Sequence, residues 1–212
     1  MSDYLRDPSA IYARSFAIIR AEADLRGIPE SGHAIAIRVI HACGMIEVAQ
    51  DLVITEDFAA AAQAALDNGR SILVDVEMVR YGIIARQLAP GVEITCTLND
   101  PRAKELGLSQ QITRTAAATE LWKDKLAGAI VVIGNAPTAL FRLLELIDEG
   151  GPKPACIVGM PVGFVGAAES KDALIANSRG IPFVTIKGRK GGSAMASSVI
   201  NALTSDMPQE TA

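Results

Sequence analysis

The chain has 212 residues, half of them apolar, with 21% charged and a formal net charge of −4. That is enough apolar material for one full core, and so small a net charge argues against nucleic acid or an anionic membrane surface as partner. The segment 1–6 is polar, no apolar run nears the roughly 20 residues that span a bilayer, and Cys43, Cys96 and Cys156 lie far apart with no CxxC pair. The expectation is therefore a cytoplasmic protein with reduced thiols, no secretion signal or membrane anchor, and no zinc or redox role.

Taken in chain order, Ile11, Tyr12, Ser15, Phe16, Ile19 and Leu25 recur at helical spacing over residues 8–26, with Asp7 or Ser9 placed to cap and Gly27 and Pro29 to stop. A second helix is predicted from Ser31, carrying Ile35, Arg38, Ile40 and His41 up to Gly44, and a third from Glu56 to Leu66, ending at Asn68 and Gly69. The pattern then changes. Short β-branched runs at 71–76, 92–98, 129–133, 155–158 and 183–186 alternate with helical stretches at 77–87, 101–106, 115–126, 137–149, 167–179 and 192–203.

Apolar positions in those runs are consecutive, as in strands covered on both faces. The pattern predicts the α/β class: a single doubly wound domain over 1–212, with a mainly parallel sheet of about five strands and N-terminal helices outside the βα rhythm. Residues 206–212 read as a frayed tail.

The most informative stretch is 36–44, AIRVIHACG, which holds one of only two histidines. On a helix, Arg38 and His41 project from one face about one turn apart, setting a proton donor that titrates near neutral pH beside a cation able to grip a carboxylate. A histidine on an apolar helix is more often simply packed. His33 and His41 are eight residues apart, about 12 Å along a helix, so they cannot share one metal ion, and His33 is assigned to the surface. Ser15 is suited to capping, packing or binding, and its spacing does not decide.

Further on, Gly134, Asn135 and Ala136 end an apolar strand, with Pro137 at the first helical position and Thr138 close behind. This is either an ordinary βα turn or a helix N-terminus whose amides receive a carboxylate or phosphate, with Asn135 as its side chain. Arg114, before Thr115 and three alanines, stands at a helix entrance open to a bulky ligand or is a surface arginine. Gly159, Gly163 and Gly166 fail the GxGxxG spacing, and residues 187–193, KGRKGGS, lack the lysine a P-loop needs before Ser193. The first loop, with Phe164, suits apolar packing on a large ligand or partner, while the second is a surface loop or an anion nest. Glu145 and Asp148 fall on outer helical faces as solvated charge. No GxSxG elbow, HExxH or DxD cluster appears.

These residues converge on a resemblance. RVIHACGM, with DPSAIYAR at 7–14, DVEMV at 75–79, 114–118, 134–141 and GMPVGFVGAAESK at 159–171, closely resembles the precorrin-8X methylmutase family of cobalamin biosynthesis over nearly the whole chain. The resemblance implies a parallel α/β homodimer with ligand near the subunit boundary and no metal or organic cofactor. The implied reaction moves a methyl group from C-11 to C-12 of precorrin-8X to form hydrogenobyrinic acid. By match to the motif, His41 is the acid and base, and Ser15 and Arg38 bind substrate. Arg114, Asn135 and Thr138 suit the rim of a disc fringed with carboxylates, and Met45, Met160 and Phe164 its walls. Still open are a cobalt-containing substrate, a non-catalytic tetrapyrrole carrier and a nucleotide-binding module resting on 187–193.

Overall fold

A computed structural model describes residues 4–205. The tail expected at 206–212 lies outside the described residues. Six strands form one sheet: β1 (Leu52–Ile54), β2 (Ile72–Val74), β3 (Ile94–Cys96), β4 (Ile130–Ile133), β5 (Cys156–Gly159) and β6 (Phe183–Ile186). Their order is β1-β6-β5-β4-β2-β3, with every pairing parallel except β1 against β6. The helices are α1 (Pro8–Glu22), α2 (His33–Cys43), α3 (Phe58–Asp67), α4 (Glu77–Gly82), α5 (Pro101–Gln110), α6 (Arg114–Glu120), α7 (Pro137–Asp148), α8 (Ala167–Ala176) and α9 (Ser193–Thr204).

The consecutive apolar runs divide cleanly between two faces, because successive strand residues point to opposite sides. Ile72, Val74, Ile130, Val132, Val158 and Ile186 join a core with residues of α2, α3, α4 and α9. Leu73, Val131, Ile133 and Ile157 join a second core with Trp122, Leu126 and residues of α7 and α8. Both faces are covered, so the doubly wound reading holds.

The sheet has one strand more than expected. β1 is three residues long, like β2 and β3, with a central residue less buried than its neighbours; its run, LVI, falls between two predicted helices, ahead of the βα rhythm. It matters because it lies between α2 and α3 in the chain and so binds the N-terminal helices to the sheet edge. Thr55 N–H donates to Phe183 O at one end and Lys187 N–H to Asp51 O at the other.

Several boundaries also differ. α1 stops at Glu22 instead of running to residue 26, with Ala23 N–H on Ile19 O and extended backbone at its cap. The stretch expected as one helix over 77–87 breaks at Gly82, where a Cβ would meet Ser197 Oγ of α9 at 2.4 Å. Only a 3₁₀ turn follows, at Ala85–Gln87.

α1 lies outside both main cores. Phe16 and Ile19 of α1 pack with Ile37 and Ile40 of α2 in a third apolar cluster. α2 is therefore sandwiched, with Ile35, Ala36 and Val39 in the sheet core and Ile37 and Ile40 toward α1.

Candidate functional site

α1 and α2 bring Ser15, Arg38 and His41 together. Asp7 caps α1 by accepting from Ala10 N–H at 2.7 Å, and Pro8 occupies the first helical position. That start sets Tyr12, Ser15 and Phe16 on the face toward α2. Ser15 Oγ lies 2.9 Å from His41 Nδ1, which leaves Nε2 as the ring nitrogen for a substrate. The imidazole stacks on Phe16 at 4.7 Å between centroids and meets Tyr12 edge-on at 5.4 Å. α2 ends immediately beyond at Gly44, in the left-handed conformation at φ +70°, so His41 sits in its last turn.

Arg38 is only 7% exposed. Its guanidinium carbon lies 5.5 Å from the Tyr12 ring centroid and 5.8 Å from that of Phe16. Nη1 is buried with no hydrogen-bond partner, a state that costs stability and that an incoming acceptor would relieve. The resemblance implies that Arg38 binds substrate; its side chain lies one turn from the imidazole, beneath the Tyr12 and Phe16 rings. Burial and, secondarily, the charge of Arg38 push the His41 pKa below the ordinary 6.5. Beside this cluster a cleft of about 270 Å³ is lined by Ser15, Ile18, Ile19, Glu22, His41 and Ile46.

The other expected residues gather elsewhere, around the entrances of α6 and α7. Thr138 Oγ1 bonds to Thr113 Oγ1 at 2.8 Å and Thr115 Oγ1 at 3.0 Å. Thr113 also caps α6 by accepting from Ala116 N–H. Arg114 is exposed in the first turn of that helix. No hydrogen bond or ring contact joins this group to the His41 cluster among the described residues.

The turn at Gly134 to Ala136 is not open to an external anion. Its amides already serve Asp75, the residue after β2: Gly134 N–H donates to Oδ1 at 3.0 Å, and Asn135 and Ala136 N–H donate to Oδ2 at 2.9 and 2.8 Å. The anion read from the pattern exists, and the protein supplies it. In the sequence Asp75 is an acid within the apolar run 71–76 and the first residue of the family motif DVEMV, with nothing to pair it with this turn.

The two glycine loops are also more occupied than their composition suggests. Gly192 N–H donates to Met160 O and Gly163 N–H to Arg189 O, which ties the loops to each other. The fully buried Lys171 donates from Nζ to Lys190 O, and burial presses its pKa down to about 8. Of the residues suggested as walls, Met160 is fully buried in the sheet core. Met45 packs against that core in part. Phe164 is 83% exposed, with the Arg189 guanidinium 5.4 Å from its ring centroid.

His33 is half-buried, with Nε2 3.1 Å from Ile28 O, and is not a free surface group. The aromatic surroundings of His41 were missed because Tyr12 and Phe16 read equally well as core. Among the described residues no three His, Cys, Asp or Glu side chains gather as a metal site, and no helix is long and apolar enough to cross a membrane.

Comparison with known proteins completes this description. The family model for precorrin-8X methylmutase matches residues 10–206. A precorrin-8X methylmutase of Sinorhizobium sp is 55% identical, over 95% of this chain and 96% of that protein. One from Pseudomonas aeruginosa is 53% identical, over 97% and 99%. A cobalt-precorrin-8 methylmutase of Priestia megaterium stands lower, at 34% over 93% and 87%. The solved structure of precorrin-8X methylmutase from Thermus thermophilus superposes with a TM-score of 0.83 at 34% identity, covering 92% of this chain and 94% of that one.

Proposed function

The chain belongs to the precorrin-8X methylmutase family, and from that premise we propose how its residues perform the reaction. The protein is an isomerase, an intramolecular transferase that converts precorrin-8X to hydrogenobyrinic acid by moving a methyl group from C-11 to C-12. The metal-free substrate is preferred over the cobalt form because relatives named for the former are 55% and 53% identical, against 34% for the Priestia megaterium protein.

His41 lends the proton. With Nδ1 held by Ser15, its Nε2 passes a proton to the conjugated macrocycle; the resulting cation accepts the migrating methyl with its electron pair, and the proton returns to the imidazole. No atom is gained or lost. Arg38 receives a substrate carboxylate through its unsatisfied Nη1. That contact also offsets the Arg38 charge, which after burial is the lesser of the two causes that lower the His41 pKa. The observation that carries this reading is the hydrogen-bonded imidazole in a cleft wall, one turn from a buried guanidinium that lacks an acceptor.

Arg114, Asn135 and Thr138 contact the far edge of the same disc. A homodimer with the macrocycle at its boundary accounts for their separation from His41 in one chain. The exposed Ile11 and Ile18 on α1 suit burial against a second copy. Residues 4–205 act as one domain, since one sheet with two covered faces organises them. A cytoplasmic setting agrees with three free cysteines.

Absorbance during incubation of purified protein with precorrin-8X tests the function. Appearance of the hydrogenobyrinic acid spectrum supports the isomerase, whereas stoichiometric binding without spectral conversion establishes a carrier. Sedimentation of the protein with and without product tests the dimer.

A further inference from the structure

In doubly wound sheets, ligands collect where neighbouring strands send their connections in opposite directions. Here that point lies between β2 and β4: β2 leads through α4 to β3 on one side, and β4 leads through α7 to β5 on the other. Asp75 stands in this crevice, 2% exposed, with its two oxygens on three successive amides of the turn entering α7. Its own N–H reaches Val132 O of β4 at 3.3 Å. None of its hydrogen bonds comes from a lysine or arginine among the described residues; burial raises its pKa, and the three amides and the positive end of a twelve-residue helix work against that rise.

The turn is pinned on its other side as well. A Cβ on Gly134 would meet Val79 of α4 at 2.7 Å, and Ala196 and Ser193 of α9 at 2.8 and 2.9 Å. The peptide that carries Asn135 is thus clamped between Asp75 and two helices. Thr138 is the second residue of α7, and its hydroxyl meets those of Thr113 and Thr115.

We infer that Asp75 is a positioning residue for the corrinoid: it fills the switch-point nest with the protein's own carboxylate and thereby holds the Asn135 and Thr138 turn in the shape that binds the macrocycle. This rests on the reading of that turn as substrate-binding. It has a further consequence for specificity. With the nest filled, the start of α7 attracts no free phosphate, and the substrate carboxylates are left to the arginines.

The test is rescue. Asp75→Ala opens the three amides, so its affinity for hydrogenobyrinic acid falls about tenfold or more, and added formate, a carboxylate small enough for the vacated site, restores it. Formate leaves the parent protein unchanged. Unaltered product affinity in Asp75→Ala overturns the inference, as does formate that raises the melting temperature without restoring affinity. Where the alanine variant does not fold, Asp75→Asn serves: a raised KM with kcat nearly kept supports positioning, and a fall in kcat at constant KM refutes it. His41→Ala, assayed in parallel, separates the two readings. Full turnover by that variant defeats the proposed chemistry, while its loss alongside unaffected Asp75 variants defeats only the role given to Asp75.

Discussion

The cluster on α1 and α2 and the turn between β4 and α7 treat their polar groups in opposite ways. At the turn, Asp75 receives three amides and three threonine hydroxyls bond to one another. Around His41, a guanidinium nitrogen is buried without an acceptor, and the imidazole is held away from its charged form. The place where such sheets usually bind ligands already holds the protein's own anion, although Ser193 Oγ beside Gly134 is buried without a partner, and the unpaired buried cation lies on helices added outside the βα rhythm. Groups left unsatisfied in a folded chain cost stability and are retained where a ligand completes them. The contrast agrees with the chemistry proposed for the helical layer.

Substitutions can break or sharpen that contrast. The largest effect is expected for His41→Ala, which should lose about 10²- to 10⁴-fold in kcat, the usual contribution of a general acid, while still binding hydrogenobyrinic acid. Single-turnover absorbance measures both, and near-normal turnover would remove His41 from the mechanism. Arg38→Met should weaken product affinity by about ten- to a hundredfold, the loss expected for a hydrogen bond to a charged group. Because it also removes a buried donor without a partner, its melting temperature should hold or rise. A drop of several degrees would mean that the guanidinium serves the fold.

Ser15→Ala frees Nδ1 and should lower kcat by about tenfold, the order expected for one hydrogen bond, with KM little changed; a rise in KM alone would make Ser15 a substrate contact instead. The smallest effect concerns pH. If protonated His41 is the acid, kcat/KM declines as pH rises through its free-protein midpoint, which burial and Arg38 place below 6.5. Arg38→Met should raise the free-protein midpoint, because it removes the charge that adds to burial in lowering it. A kcat/KM midpoint above 6.5 would contradict the depressed imidazole. The same depression has a sign for stability: its contribution is present above 6.5 and is lost as pH falls through the lowered midpoint.

The sheet was readable because each buried strand is a continuous β-branched run, and both of its faces need apolar cover. β1 escaped because its short run, LVI at 52–54, lies between two helical stretches ahead of the βα alternation. Arg38 and His41 were readable as neighbours from helical spacing alone. The hydrogen bond from His41 to Ser15 was not, since it joins residues 26 positions apart on different helices, and only the family motif linked them. The partner of the amides at Gly134 to Ala136 was hidden for the same reason. Asp75 lies about 60 residues away, and helix-start chemistry shows that an anion is wanted without showing whose it is.

β1 imposes an order on assembly. The segment that follows α2 pairs with β6, across more than 120 residues of intervening chain. During synthesis, the helices bearing the imidazole emerge first but have no edge to dock on until the last strand has left the ribosome. A nascent protein truncated before β6 would carry the whole Ser15, Arg38 and His41 constellation in its sequence and lack the anchor that joins it to the sheet.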